Sequence, residues 1–120
     1  MLVSLVAVLA SAAMPATEAP EIAAGERVFR IQCMGCHSVE PERNRAGPTL
    51  YGLIDRPAGT VEGYDYSQAM RGAGIVWDHE TLDAFLADPG AVVPGTKMVF
   101  WGLGEDDRRH VIAYLEAAGE

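Results

Sequence analysis

Cys33-Met34-Gly35-Cys36-His37 decides how this chain is read. Two thiols stand three positions apart, and an imidazole follows at once. The spacing suits covalent haem attachment: two thiols add to the two vinyl groups on one edge of a porphyrin, and the next residue presents a ring nitrogen to the iron. Attachment of this type takes place outside the cytoplasm. Three other readings compete. A redox C-x-x-C would sit in a strand–helix setting, and no convincing strand series appears. Zinc would need four ligands, but there is no second cysteine pair, and His79 and His110 are isolated. A disulfide across so short a loop would add little and would strain a helix end.

Upstream of the motif, Gly25, Phe29 and Cys33 recur every four residues and share one helical face, so a helix is expected from near Glu21. The glycine weakens that helix and points to close approach by another element. Downstream, residues 38–63 hold Pro41, Gly47, Pro48, Gly52, Pro57, Gly59 and Gly63 and read as loop. A short helical piece is expected at 67–71. Asp78 is a good N-cap for a helix with Leu82, Phe85 and Leu86 at i, i+3, i+4, which Pro89 and Gly90 stop. Residues 91–104 read as a second loop. A last helix opens on Glu105-Asp106-Asp107, shows Val111, Ile112, Tyr114 and Leu115 on its apolar face, and ends at Gly119. Loops this long in a small domain are expected to wrap something.

At 120 residues the chain has room for one domain. Its formal charge is −8, from 17 acidic and nine basic residues, and Lys97 is the only lysine. Such a surface disfavours nucleic acid and anionic lipid and favours partners with a basic docking face, unless the charge serves only solubility. Residues 1–17 carry no charged side chain and are nearly all apolar over 2–10, with small residues after. They read as a secretory signal peptide, although no basic residue precedes the apolar run; a short N-terminal anchor is the competing reading. Residues 18–21 read as linker, and the domain proper as 22–120.

Four further stretches follow the cysteine motif: Gly47-Pro48-Thr49-Leu50-Tyr51-Gly52, Gly63-Tyr64-Asp65-Tyr66-Ser67, Gly74-Ile75-Val76-Trp77 and Pro94-Gly95-Thr96-Lys97-Met98. Singly they are turn signals. In combination they resemble the class I cytochrome c family, in its mitochondrial-like bacterial branch, from about residue 22 to the end. The resemblance implies an all-α fold of three to four helices with long loops around one covalently bound haem c. It implies thioether attachment at Cys33 and Cys36, with iron held by His37 and Met98. The Pro48 carbonyl would fix the His37 ring. Arg56, Tyr66 and Trp77 match positions that serve the haem propionates, and Thr96 one that helps hold the methionine loop. Phe29 and Gly25 would meet Tyr114 and Leu115 where the first and last helices cross, and Phe100 would lie beside the haem edge. Read without the family, Trp77 and Tyr66 are core aromatics, Arg56 a surface charge and Met70 a core residue. Two departures stand out: Phe85 and Met70 occupy positions where many relatives carry tyrosine and asparagine, so a drier distal side is expected.

The function implied is a monomeric one-electron carrier and not an enzyme. A quinol-oxidising complex would be its donor. A terminal oxidase, photosynthetic reaction centre or soluble reductase would be its acceptor. Its location would be periplasmic, soluble or tethered through the N-terminus. Gly90 and Ala91 stand where lysines are common, which implies weak docking to partners suited to a basic cytochrome. The alternatives are a peroxidase-like enzyme and a gas-binding sensor with a labile Met98.

Overall fold

The first helix, α1 (Glu18–Gln32), begins three residues before the expected Glu21. Residues 18–21 are therefore its first turn and not a linker. Pro20 is tolerated there because the first N–H groups of a helix have no partner within it. The computed structural model describes residues 18–120 together with Leu2, Ser4, Val6 and Ala7; the expected signal or anchor over 1–17 otherwise lies outside the described residues. Among those described, no helix is long and apolar enough to cross a membrane.

Four further helices follow. The single turn α2 (Gln68–Arg71) is capped by Ser67, whose Oγ accepts from the Met70 N–H at 3.1 Å. Helix α3 (His79–Ala87) starts on a reciprocal cap: Asp78 Oδ1 accepts from the Thr81 N–H at 2.8 Å, and Thr81 Oγ1 accepts from the Asp78 N–H at 2.9 Å. Pro89 does stop α3, but it also opens α4 (Pro89–Val92), a turn capped by Asp88. The loop expected over 91–104 thus begins as helix, because a proline at the first helical position lacks only an N–H that would be unpaired anyway. Helix α5 (Glu105–Ala118) has its three acidic residues in the first turn, at the positive end of the helix.

Helices α1 and α5 cross at Gly25. A Cβ there would fall onto the His110 carbonyl and within 2.8 Å of Tyr114 Cβ. The missing side chain lets the two backbones approach. Phe29 then meets Tyr114 with ring centroids 5.5 Å apart, close to the expected crossing contact. Val111 of α5 is fully buried, and Leu115 beside it joins Leu82, Phe85 and Leu86 of α3 in one core. The described residues thus form an all-α fold: three helices of two or more turns, two single turns, and loops whose only sheet-like pairing is the Pro57–Val76 bridge. Backbone bonds from Asp55 N–H to Trp77 O (2.7 Å) and from Trp77 N–H to Arg56 O (3.0 Å) tie the long loop to the residue before the α3 N-cap.

Candidate functional site

Helix α1 leads directly into the cysteine motif. The Cys33 N–H donates to Phe29 O at 2.8 Å, and the His37 N–H to Cys33 O at 2.9 Å, so helical spacing continues through the motif. Cys33, Cys36 and His37 all reach one cleft of about 430 Å³. Its volume falls within the range of bound cofactors, ~300–1,000 Å³. Leu53, Leu82, Phe85, Leu86, Val111 and Leu115 make its floor apolar. No disulfide joins the two cysteines. Burial pushes the Cys33 thiol up to about 11, and Cys36 adds to the effect. A redox-active C-x-x-C requires the opposite shift.

The His37 ring is fixed from one side. Its Nδ1 lies 2.7 Å from Pro48 O, and a carbonyl can only accept, so Nδ1 carries the hydrogen. Nε2 is left with the lone pair. Burial lowers the pKa of His37; the Pro48 bond opposes this, and the Arg56 charge adds to it. The ring is therefore the neutral, ligand-competent form. Gly47 leaves no room for a side chain here, since a Cβ at that position would lie 2.3 Å from His37 Cε1. The sequence expectation marked Gly47 only as a turn residue; its closeness to His37 needs the folded loop.

Met98 lines the same cleft, eleven residues of chain after α3. Its loop is held at both ends. The Met98 N–H donates to Thr96 Oγ1 at 3.2 Å, and the Leu103 N–H donates to Leu86 O at 2.9 Å. Gly102 at φ 92° presses against the Ala87 carbonyl, where no side chain would fit. Arg108 of α5, which sequence reasoning missed, closes this arrangement. Its Nε donates to Asp83 Oδ1 at 2.8 Å and its Nη1 to Leu103 O at 2.7 Å.

Arg56, Tyr66, Trp77 and Thr96 also line the cleft. Arg56 donates to Thr49 O and Tyr51 O, both at 3.0 Å, and makes no ion pair among the described residues. It is a half-buried cation without a carboxylate, and burial lowers its pKa. Tyr66 Oη accepts from the Val61 N–H at 3.0 Å, so its own hydrogen remains to be donated; burial raises its pKa. Thr96 Oγ1 likewise accepts from Met98 and keeps its hydrogen. Trp77 is buried and packs on Phe85 at 5.0 Å, as a core aromatic would, while also facing the cleft. Met70 and Phe85 are on the wall, so this side is apolar as expected. Phe100 packs half-buried on the core, and Val99 beside it lines the cleft.

A family model described as cytochrome c matches residues 22–118. Cytochrome c 2.1 of Caenorhabditis briggsae is 47% identical over 93 residues, 77% of this chain and 83% of that one. Cytochrome c2 of Blastochloris viridis is 43% identical over 111 residues, 91% of this chain and 86% of that one. Cytochrome c2 iso-2 of Magnetospirillum molischianum is 48% identical over 85 residues, 70% and 88% of the two chains. A matching model over nearly the whole domain, on an all-α fold with this cleft, leaves one conclusion: the chain is a class I member of the cytochrome c family, whose members carry electrons on a covalently bound haem c.

Proposed function

We propose that this chain is a one-electron carrier in which Cys33 and Cys36 would hold the haem by thioether bonds, and His37 Nε2 and the Met98 sulfur would ligate its iron. The observation that carries the reading is the convergence of both thiols, the oriented imidazole and the thioether on one apolar cleft. The residues present fit the group. An anionic substituent would answer the Arg56 cation, which lacks a carboxylate, and would accept from the remaining Tyr66 and Thr96 hydrogens. When bound, the haem iron supplies a reversible ferric–ferrous couple, and thioether ligation raises its potential.

The chain's own residues then set the working conditions. Pro48 holds the His37 tautomer, which keeps Nε2 directed as a ligand. Thr96, Leu86 and Arg108 hold the Met98 loop from three sides, which limits reorganisation between oxidation states. The apolar floor excludes water. His37 is the only histidine of the cleft among the described residues: His79 pairs with Glu116 at 2.8 Å on the surface, and His110 lies in a groove between α1 and α5. This arrangement supports a carrier over a peroxidase, which needs an acid–base residue at the distal side.

A quinol-oxidising complex as donor, and an oxidase, photosynthetic centre or soluble reductase as acceptor, follow as proposals, with a periplasmic location. The charge of −8 supports basic docking faces on these partners. Voltammetry of the holoprotein tests the reading. One reversible one-electron wave, unaffected by peroxide or carbon monoxide at neutral pH, is expected. Catalytic current with peroxide, or carbon monoxide binding to the reduced protein, would move the enzyme or sensor reading ahead.

A further inference from the structure

Two arginines stand side by side in α5 and are held differently. Arg109 is exposed and pairs with Asp106 at 3.0 Å and Glu21 at 3.5 Å. Arg108 is only 17% exposed and pairs with Asp83 of α3. Glu105, Asp106 and Asp107 precede it, are all exposed, and would draw its charge outward. Among the described residues its ion partner is instead Asp83, which therefore selects the inward course of the side chain. The guanidinium is a rigid plane, so fixing Nε on Asp83 Oδ1 at 2.8 Å also aims Nη1, which donates to Leu103 O at 2.7 Å.

Leu103 is the far anchor of the stretch that carries Met98. It is buried, and its N–H is tied to Leu86 O of α3. Between the anchors the stretch has little packing of its own. Val99 and Trp101 stand almost wholly in solvent, and Phe100 alone of the three packs on the core. A segment with so few buried contacts opens locally at low free energy unless its ends are held. Without the Asp83 carboxylate, the Arg108 charge is free to turn to the exposed acids before it. The buried Leu103 carbonyl then loses a charge-assisted hydrogen bond.

We infer that Asp83, acting through Arg108, keeps the Met98 stretch shut and so denies the cleft to small external ligands of the imidazole kind. Asp83 is not on the cleft wall, so it is a positioning residue that decides between a closed carrier and a ligand-binding protein. The inference rests on the reading in which Met98 ligates the iron.

Imidazole titration of the ferric holoprotein at neutral pH, followed at the far-red band, reads the open fraction. An external ligand binds only after Met98 leaves, so its apparent affinity scales with the population of the open form. Asp83→Ala should bind imidazole about three- to tenfold more tightly than wild type. Alanine is the better helix former, so a weakened α3 would not explain that gain. Made on top of Arg108→Gln, Asp83→Ala should add less than about twofold, because the two side chains act as one unit. Asp78→Ala loosens the start of the same helix without touching Arg108, and should leave the affinity within about twofold of wild type. Unchanged affinity in Asp83→Ala, a full gain on the Arg108→Gln background, or the same gain in Asp78→Ala overturns the proposal. Hydrogen exchange of the Leu103 amide needs no iron–sulfur bond, and it should quicken in Asp83→Ala by the same factor. Absence of the far-red band in the wild type would sink the ligation reading, and Leu103 exchange would still decide on the clasp. Exchange unchanged in Asp83→Ala overturns the clasp itself.

Discussion

At the scale of single residues, the site depends on what is left out as much as on what is present. Gly47 has no side chain because the His37 ring occupies that space. Gly47→Ala must push the imidazole away or bend the loop that carries Pro48, and overpacking of this kind costs about 1–3 kcal/mol. Urea denaturation of the holoprotein should show that loss, together with a disturbed haem spectrum; an unaltered midpoint and spectrum would mean the ring is not held as described. That Cys33, Cys36, His37 and Met98 meet on one cleft was legible in the sequence, from the C-x-x-C-H spacing and the Pro-Gly-Thr-Lys-Met context. Gly47's second role was not, because His37 lies ten residues earlier and only the fold brings the two together. The exposure of Trp101, which directly follows Phe100, was illegible for a similar reason: only the fold shows it.

At the scale of elements, the α1–α5 crossing and the start of α3 carry separable predictions. Alanine in place of Gly25 would gain about 1 kcal/mol of helix propensity. It would also drive a methyl group into the His110 carbonyl, a backbone group that cannot turn aside. The clash outweighs the gain, so Gly25→Ala should be destabilised by a net of about 1–3 kcal/mol in urea; a more stable variant would contradict the close crossing. At α3, the Thr81 backbone and hydroxyl bonds hold the Asp78 carboxyl below its ordinary value. A carboxylate lowered in the folded state stabilises above its unfolded pKa and loses that contribution as pH falls through the folded one. Asp78→Ala should thus be less stable than wild type at neutral pH, with the gap closing in acid below the ordinary carboxylate range. A gap that stays constant across that range would show that the charge is not involved. This cap was visible in the sequence. Helix α4 was not, because Pro89 is a stop signal for one helix and a start signal for the next, and only the path of the chain after Asp88 decides between them.

At the scale of the whole molecule, the fold closes around the cleft through contacts distant in sequence. Arg108 joins α5 to α3 through Asp83 and to the methionine loop through Leu103 O, with only 17% of its side chain exposed. Arg108→Ala should cost about 1–2 kcal/mol, discounted for the half-exposed Asp83, by urea denaturation of the holoprotein. Restored stability in Arg108→Lys would argue that charge alone matters and not the forked geometry. An arginine in a row of charged residues at a helix start gives no sign of such a clasp, because Asp83 lies 25 positions away. The order of helices and loops was legible because caps and breakers are local; the closing of the Met98 loop was not, because it depends on bonds between elements. On the proposed reading, His37 Nε2 and the Met98 sulfur would both ligate the iron of a haem attached through Cys33 and Cys36. The absorption spectrum of the ferric holoprotein at neutral pH tests it most directly, through the weak far-red band of methionine sulfur on ferric iron. That band is expected in the wild type and should be lost in Met98→Ala, with the haem still covalently attached in both. A covalent haem without the band in the wild type would contradict it.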